Sequence, residues 1–139
     1  MNLVAQYTPS ISGEVLCPGD KSISQRAVII GSLLNEDIEI SGFLNGEDPI
    51  STANALNAIG SSIKINVTSV SIKKRDIPFK DPSVNVDLGN SGTGMRLMMG
   101  LISSIGIKAT LVGDESLIKR PMLRVANPLN DMGATVTCN

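Results

Sequence analysis

A chain of 139 residues is long enough for one ordinary domain with a real core, and its charge is nearly balanced at -1. One Tyr, two Phe and no Trp leave no stacking platforms for single-stranded nucleic acid, and the charge balance excludes a binder of phosphate backbones. The absence of histidine removes the commonest general base, the commonest metal ligand and the Ser-His type of nucleophile.

In chain order, Glu14 to Cys17 reads as a short strand. Ser22 to Leu34 reads as a helix with Ile23, Ala27, Ile30 and Leu34 on one face, and Ser22 with Gln25 has capping-box spacing. Asp37 to Phe43 alternates as a strand. Asp48-Pro49 reads as an N-cap and first helical position, with the helix running to Ile59 and stopping at Gly60. Ile63, Ile65 and Val67, then Val70 and Ile72, read as a hairpin turning at Thr68-Ser69. Lys73-Lys74-Arg75 reads as a solvated strand end.

The order then starts over. Ser83 to Leu88 is a predicted strand, Thr93 to Ser103 a helix and Gly106 to Val112 a strand. Pro121 to Met132 is a helix kinked at Pro128 and stopping at Gly133, and Ala134 to Cys138 begins another strand. Gly19 matches Gly89 and Arg26 matches Arg96 at an offset of 70 residues; Leu56, Ile59 and Gly60 match Leu129, Met132 and Gly133 at 73. The pattern predicts an α/β chain holding two copies of one βαβαββ unit, about 14–75 and about 83–139, the second without its last strand. Cys17 and Cys138 fit no metal spacing and read as reduced thiols of a cytoplasmic protein without a signal peptide or membrane span.

Chemistry concentrates at the two helix starts. Pro18-Gly19-Asp20-Lys21-Ser22-Ile23-Ser24-Gln25-Arg26 and Leu88-Gly89-Asn90-Ser91-Gly92-Thr93-Gly94-Met95-Arg96 each run from a glycine through short polar side chains to an arginine seven positions on. Free backbone N–H groups and the positive helix end suit such turns to anions. Lys21 supplies a point charge, Arg26 a planar fork. Arg120-Pro121 places a cation at the mouth of a helix, where it is electrostatically disfavoured unless an anion binds there. Each feature also has a plain structural alternative: a solvated helix start, a tight turn, an arginine pointing to water. Neither turn matches a Walker A loop or a dinucleotide fingerprint.

These motifs, together with Gly113-Asp114 through Lys119-Arg120-Pro121-Met122, resemble the 5-enolpyruvylshikimate-3-phosphate synthases over nearly the whole chain and in the right order. The resemblance implies an inside-out α/β barrel of two lobes, each with three βαβαββ units around a pseudo-threefold axis. About two units of the N-terminal lobe would be present, so the chain is expected to be an N-terminal fragment, residues 1–139 forming a partial lobe. It implies transfer of the carboxyvinyl group of phosphoenolpyruvate to shikimate 3-phosphate, with no cofactor and no metal.

By that resemblance Lys21, Ser22 and Arg26 contact shikimate 3-phosphate, and Lys21 (the candidate catalytic residue), Gly92 and Arg120 contact phosphoenolpyruvate. Asn90, Thr93 and Arg96 shape the second loop, and Gly92 leaves room for the inhibitor glyphosate. Gln25 takes a place often held by His or Asn, with little effect expected. The acid and base groups lie beyond Asn139, so the 139-residue chain alone is expected to be inactive. A UDP-N-acetylglucosamine enolpyruvyl transferase is the alternative within the fold. It fits less well, because Asp114-Glu115-Ser116 lacks the cysteine, in some members an aspartate, that the family carries before the counterpart of Arg120, and because the Lys21-Ser22 pair suits the shikimate enzyme better. A non-catalytic anion-binding module is the alternative outside enzymes.

Overall fold

Four helices pack against two small sheets in a computed structural model that describes residues 2–138. The elements are α1 (Lys21–Leu33), β1 (Ile38–Ser41), α2 (Glu47–Ala58), β2 (Ile63–Ile65), β3 (Ser69–Ile72), β4 (Val86–Asp87), α3 (Gly92–Ile105), β5 (Leu111–Val112) and α4 (Leu123–Asp131). In the first sheet β3 is central and antiparallel to both β1 and β2, Val70 standing opposite Ile40 and Ile65. In the second, β4 and β5 are parallel, Val86 beside Leu111. The core joins the two halves: Val28 of α1, Leu56 of α2, Val70 of β3, Val86 of β4 and Met98 of α3 are all buried.

Alternation is visible in β3, where Val70 and Ile72 turn inward and Ser69 and Ser71 do not. The hairpin exists, but Val67 is exposed in its turn, where the Asn66 amide donates to the Ser69 carbonyl at 2.8 Å. α3 stops at Gly106, whose φ of +72° is the left-handed position a helix end favours. Pro128 lies inside α4 without ending it.

Several expectations are overturned. Glu14–Cys17 and Ala134–Cys138 form no strand, and Val15 and Leu16 stand exposed; a strand needs a pairing partner, and neither segment has one among the described residues. The strands expected over Ser83–Leu88 and Gly106–Val112 shrink to two residues each, because β4 and β5 pair only with one another.

The face of α1 is reversed. Ile23 and Ile30 are 60% and 57% exposed, whereas Ser24, Gln25, Val28, Ile29, Gly31 and Ser32 are buried. Small residues let α1 lie close: a Cβ on Gly31 would stand 2.7 Å from Ile72 Cδ1. The buried polar groups are largely met by partners, as where Ser24 Oγ accepts from the Leu44 amide at 3.0 Å.

Caps shift too. α1 is capped by Asp20, which accepts from the Ile23 amide at 2.7 Å, not by a Ser22–Gln25 box. α2 begins at Glu47 with Gly46 as N-cap, so Asp48 sits inside its first turn, where a carboxylate favours the helix dipole. The basic cluster is not simply solvated. Lys73 pairs with Asp37 at 2.6 Å, and Arg75 donates to the Ser32 carbonyl with its guanidinium 3.6 Å from the centre of the Phe79 ring.

Candidate functional site

The two glycine turns lie close together because α1 packs on α2 and both meet α3. Gly19 and Gly89 serve different needs. Gly89 has φ +56°, a left-handed turn, and its amide donates to Asp87 Oδ1 at 2.8 Å. Gly19 is pressed against the backbone of Gly42 and Leu44, where no Cβ fits.

At the first turn Lys21 Nζ is 2.8 Å from Asp48 Oδ2, an ion pair whose lysine side chain is 51% exposed. Ser22 is half-buried. Arg26 is exposed and makes no hydrogen bond or ion pair among the described residues. The structure therefore brings Lys21 and Ser22 to the start of α1 with Arg26 one turn further on, its fork free for an anion.

The second turn follows β4, and the Gly113–Arg120 loop follows β5. They lie side by side beyond the carboxyl ends of two parallel strands, the end where open α/β sheets bind ligands. The Asp114 amide donates to the Gly89 carbonyl at 2.9 Å. Arg120 Nη2 donates to Asn90 Oδ1 at 2.7 Å, and Asn90 Nδ2 donates to Asp114 Oδ2 at 2.6 Å. Asp114 Oδ1 in turn accepts from the Ser116 and Leu117 amides at 3.0 and 2.7 Å. The hydrogen bond from Asn90 is the largest cause that holds the Asp114 carboxyl below its ordinary pKa, followed by the backbone bond from Leu117. Arg120 is thus aimed by a relay: Asp114 fixes Asn90, and Asn90 fixes the guanidinium.

Gly92 opens α3 between two guanidinium groups. A Cβ there would stand 2.6 Å from Arg120 Nη1 and 3.0 Å from Arg96 Nη1. Its φ is not in the left-handed region, so its need for glycine is space, not backbone conformation. Arg96 Nη1 donates back to the Gly92 carbonyl at 3.0 Å, while its Nε is buried without a partner. Burial, then the charges of Arg124 and Arg120, push Arg96 below its ordinary pKa. Two guanidinium groups flank the start of α3 and Arg124 acts as a third charge on Arg96; no carboxylate forms an ion pair with any of them among the described residues. Such a place stabilises a bound anion. Thr93, half-buried in the first turn of α3, completes the loop.

A buried amide links the two turns. Gln25 Nε2 donates to Ser91 Oγ at 2.6 Å, to Thr52 Oγ1 at 2.9 Å and more weakly to the Asp48 carbonyl at 3.3 Å. Ser91 Oγ is also the N-cap of α3, accepting from the Gly94 amide at 3.0 Å. Gln25, with no exposed surface, thus joins α1 to two other helices, α2 through Asp48 and Thr52 and α3 through its Ser91 cap. Sequence reading took Asp48 only as a helix cap and Asp114 only as part of a motif, and it passed over Arg124. Asp114 carried a usable signal, since an Asp directly after a glycine turn often ties down the amides that follow. For Asp48 and Arg124 the sequence held no comparable signal.

The family of EPSP synthase (3-phosphoshikimate 1-carboxyvinyltransferase) matches residues 6–139. The 3-phosphoshikimate 1-carboxyvinyltransferase of Ruthia magnifica subsp. Calyptogena magnifica is 47% identical over 137 residues, which are 98% of this chain and 32% of that protein. That of Petrotoga mobilis is 47% identical over 135 residues, 96% of this chain and 31% of the relative. The fold matches an EPSP synthase structure from Acinetobacter baumannii with a TM-score of 0.83 at 38% identity, over 90% of this chain and 28% of that one. The chain spans about a third of the length of these relatives. A mixed α/β chain with these motifs, matched over nearly all of its length, belongs to the EPSP synthase family.

Proposed function

We propose that this chain supplies one wall of an enolpyruvyl transferase site, which joins the carboxyvinyl group of phosphoenolpyruvate to shikimate 3-phosphate and releases phosphate. In this reading Lys21, Ser22 and Arg26 hold shikimate 3-phosphate. Lys21, Gly92 and Arg120 hold phosphoenolpyruvate, with Asn90, Thr93 and Arg96 shaping the loop. The observation that carries it is the continuous run of contacts from Lys21 through Asp48, Gln25 and Ser91 to Gly92, which ties both cationic helix starts into one surface.

The chemistry suits these groups. Both substrates bear phosphate and carboxylate, so fixed cations and helix starts orient them and gather their charge, which lowers the entropic part of the barrier. Adding the shikimate hydroxyl to the enolpyruvyl double bond also needs a proton donor and acceptor. With no histidine, this chain offers Lys21 as its one candidate for touching both substrates. Closure by a second lobe would exclude water and complete the acid and base set. The reading keeps the two repeat units, about 14–75 and about 83–139, the first without the strand expected at Glu14–Cys17 and the second without its last strand, as parts of an N-terminal lobe of an inside-out barrel in a cytoplasmic enzyme. Among the described residues no helix is long and apolar enough to cross a membrane.

The test is phosphate release from the two substrates, measured for the 139-residue chain and for a longer enzyme that carries it. Turnover by the longer enzyme and background release by the chain are expected. Clear turnover by the chain alone would overturn the assignment of the acid and base groups to another part of the enzyme. No turnover by either would overturn the substrate assignment.

A further inference from the structure

Gln25 sits on the helix of the first anion site, yet its side chain reaches the second. Its amide nitrogen faces three oxygens, Ser91 Oγ at 2.6 Å, Thr52 Oγ1 at 2.9 Å and the Asp48 carbonyl at 3.3 Å. The Asp48 carbonyl can only accept, which settles which end of the amide faces the cluster. The other end, Oε1, is buried without a partner. A buried orphan acceptor is costly, so this amide is a poor device for stability alone. What it does achieve is register. Ser91 is the N-cap of α3, and Gly92 is the next residue. The packing leaves no slack, since a Cβ on Gly94 would stand 2.6 Å from both Ser91 Oγ and Thr52 Oγ1 and 3.1 Å from Gln25 Nε2.

We propose that Gln25 is a positioning residue for the second site: carried on α1, its amide holds the Ser91 cap and so sets where Gly92 and the groups around it meet phosphoenolpyruvate. The proposal rests on the two-site reading given above. It makes an asymmetric demand. Removing a side chain from the helix of the shikimate 3-phosphate site should harm the other substrate.

Gln25→Leu suits the test because it leaves no new orphan. Ser91 Oγ still has the Gly94 amide, 3.0 Å away, as a partner, though nothing then holds the hydroxyl in place, and the Thr52 hydroxyl keeps its bond to the Asp48 carbonyl at 3.0 Å. Removing the unpartnered Oε1 offsets part of what is lost, so the variant should fold. In an active enzyme that carries this segment, Gln25→Leu should raise KM for phosphoenolpyruvate about tenfold, the equivalent of ~1.4 kcal/mol, and KM for shikimate 3-phosphate less than about threefold. Combined with Ser91→Ala, it should add nothing to the rise in KM for phosphoenolpyruvate of Ser91→Ala alone, because the second site feels Gln25 only through the Gln25–Ser91 contact that Ser91→Ala already removes. Equal rises in both KM values, no rise for phosphoenolpyruvate, or additive effects would overturn the proposal. A second measurement needs neither substrate nor turnover. Hydrogen exchange at the Gly94 amide should quicken in Gln25→Leu while the amides of α1 keep their rates, and unchanged exchange at Gly94 would overturn the positioning role. Absence of turnover by the unmutated enzyme would count against the substrate assignment instead, and the exchange result would still decide the contact.

Discussion

The two glycine turns are near-copies in sequence but present their arginines differently. Counted from the glycines, Arg26 and Arg96 correspond; counted from the helices, which begin at Lys21 and Gly92, they do not. The offset between helix starts is 71 residues, and one residue along a helix is a rotation of about 100°. Arg26 therefore points to solvent with its fork free, whereas Arg96 folds back on the Gly92 carbonyl at 3.0 Å. By the same count Arg96 corresponds to Gln25, the buried amide of the first turn. Of two helix starts alike in sequence, a single step of register makes one an open cationic turn and the other a tight turn around a glycine.

Breaking the tight turn should have the largest effect on stability. Gly94→Ala would drive a methyl into Ser91 Oγ and Thr52 Oγ1 and should destabilise the fold by about 1–3 kcal/mol in denaturant unfolding. Its counterpart by helix count is Ile23, which is 60% exposed, and Ile23→Ala should change stability far less. Equal losses at the two positions would mean that the turns are packed alike.

Gly92→Ala sharpens the contrast at the level of binding. Its Cβ meets the ends of two flexible side chains, so the fold should survive while Arg120 is displaced. In an active enzyme that carries this segment, inhibition by glyphosate relative to KM for phosphoenolpyruvate should weaken about tenfold, since a methyl crowds the longer ligand more, the equivalent of ~1.4 kcal/mol. Inhibition curves measured beside KM decide it, and an unchanged ratio would place Gly92 away from the ligand.

Asp114→Asn probes the relay that aims Arg120 and should raise KM for phosphoenolpyruvate by about threefold with little change for shikimate 3-phosphate. Because the folded Asp114 pKa is depressed, its contribution is complete above the ordinary value of 3.8 and is lost as pH falls through the lower folded value. A titration of Asp114 followed by NMR should thus show it ionised throughout the neutral range and protonated only below 3.8. A midpoint above that value would contradict the Asn90 and backbone bonds.

The smallest effect belongs to Asp37→Asn, far from either turn. Its partner Lys73 is 60% exposed and the carboxylate 58%, so thermal unfolding should barely move. A large drop in Tm would show that the pair is more than a surface contact.

Much of this was legible in the sequence where local chemistry decides. The helix stops read at Gly60 and Gly133 carry positive φ, and the alternation of Val70 and Ile72 marked one strand of the hairpin, whereas the stop of α3 at Gly106 was read as a strand start. The turns and their cations were visible because glycine, hydroxyl and arginine fall at fixed spacing. The face of α1 was not visible. Ile23 and Ile30 make the more apolar stripe, and only tertiary contact shows that Ser24, Gln25, Gly31 and Ser32 are what α2 and β3 accept. The strand expected over Glu14–Cys17 failed for a related reason, since a strand is a relation between segments and this one pairs with nothing among the described residues. The relay from Asp114 to Arg120 depends on two loops meeting after parallel strands, which no local pattern records.

The central claim is that the two helix starts form two distinct anion sites on one surface. It is tested most directly by titrating both substrates against Arg26→Ala and Arg120→Ala in an active enzyme that carries this segment. Loss of a charge-assisted contact should cost about 2–3 kcal/mol for one substrate only: shikimate 3-phosphate for Arg26→Ala, phosphoenolpyruvate for Arg120→Ala. Equal weakening of both substrates by either variant, or the reverse pairing, would contradict the account.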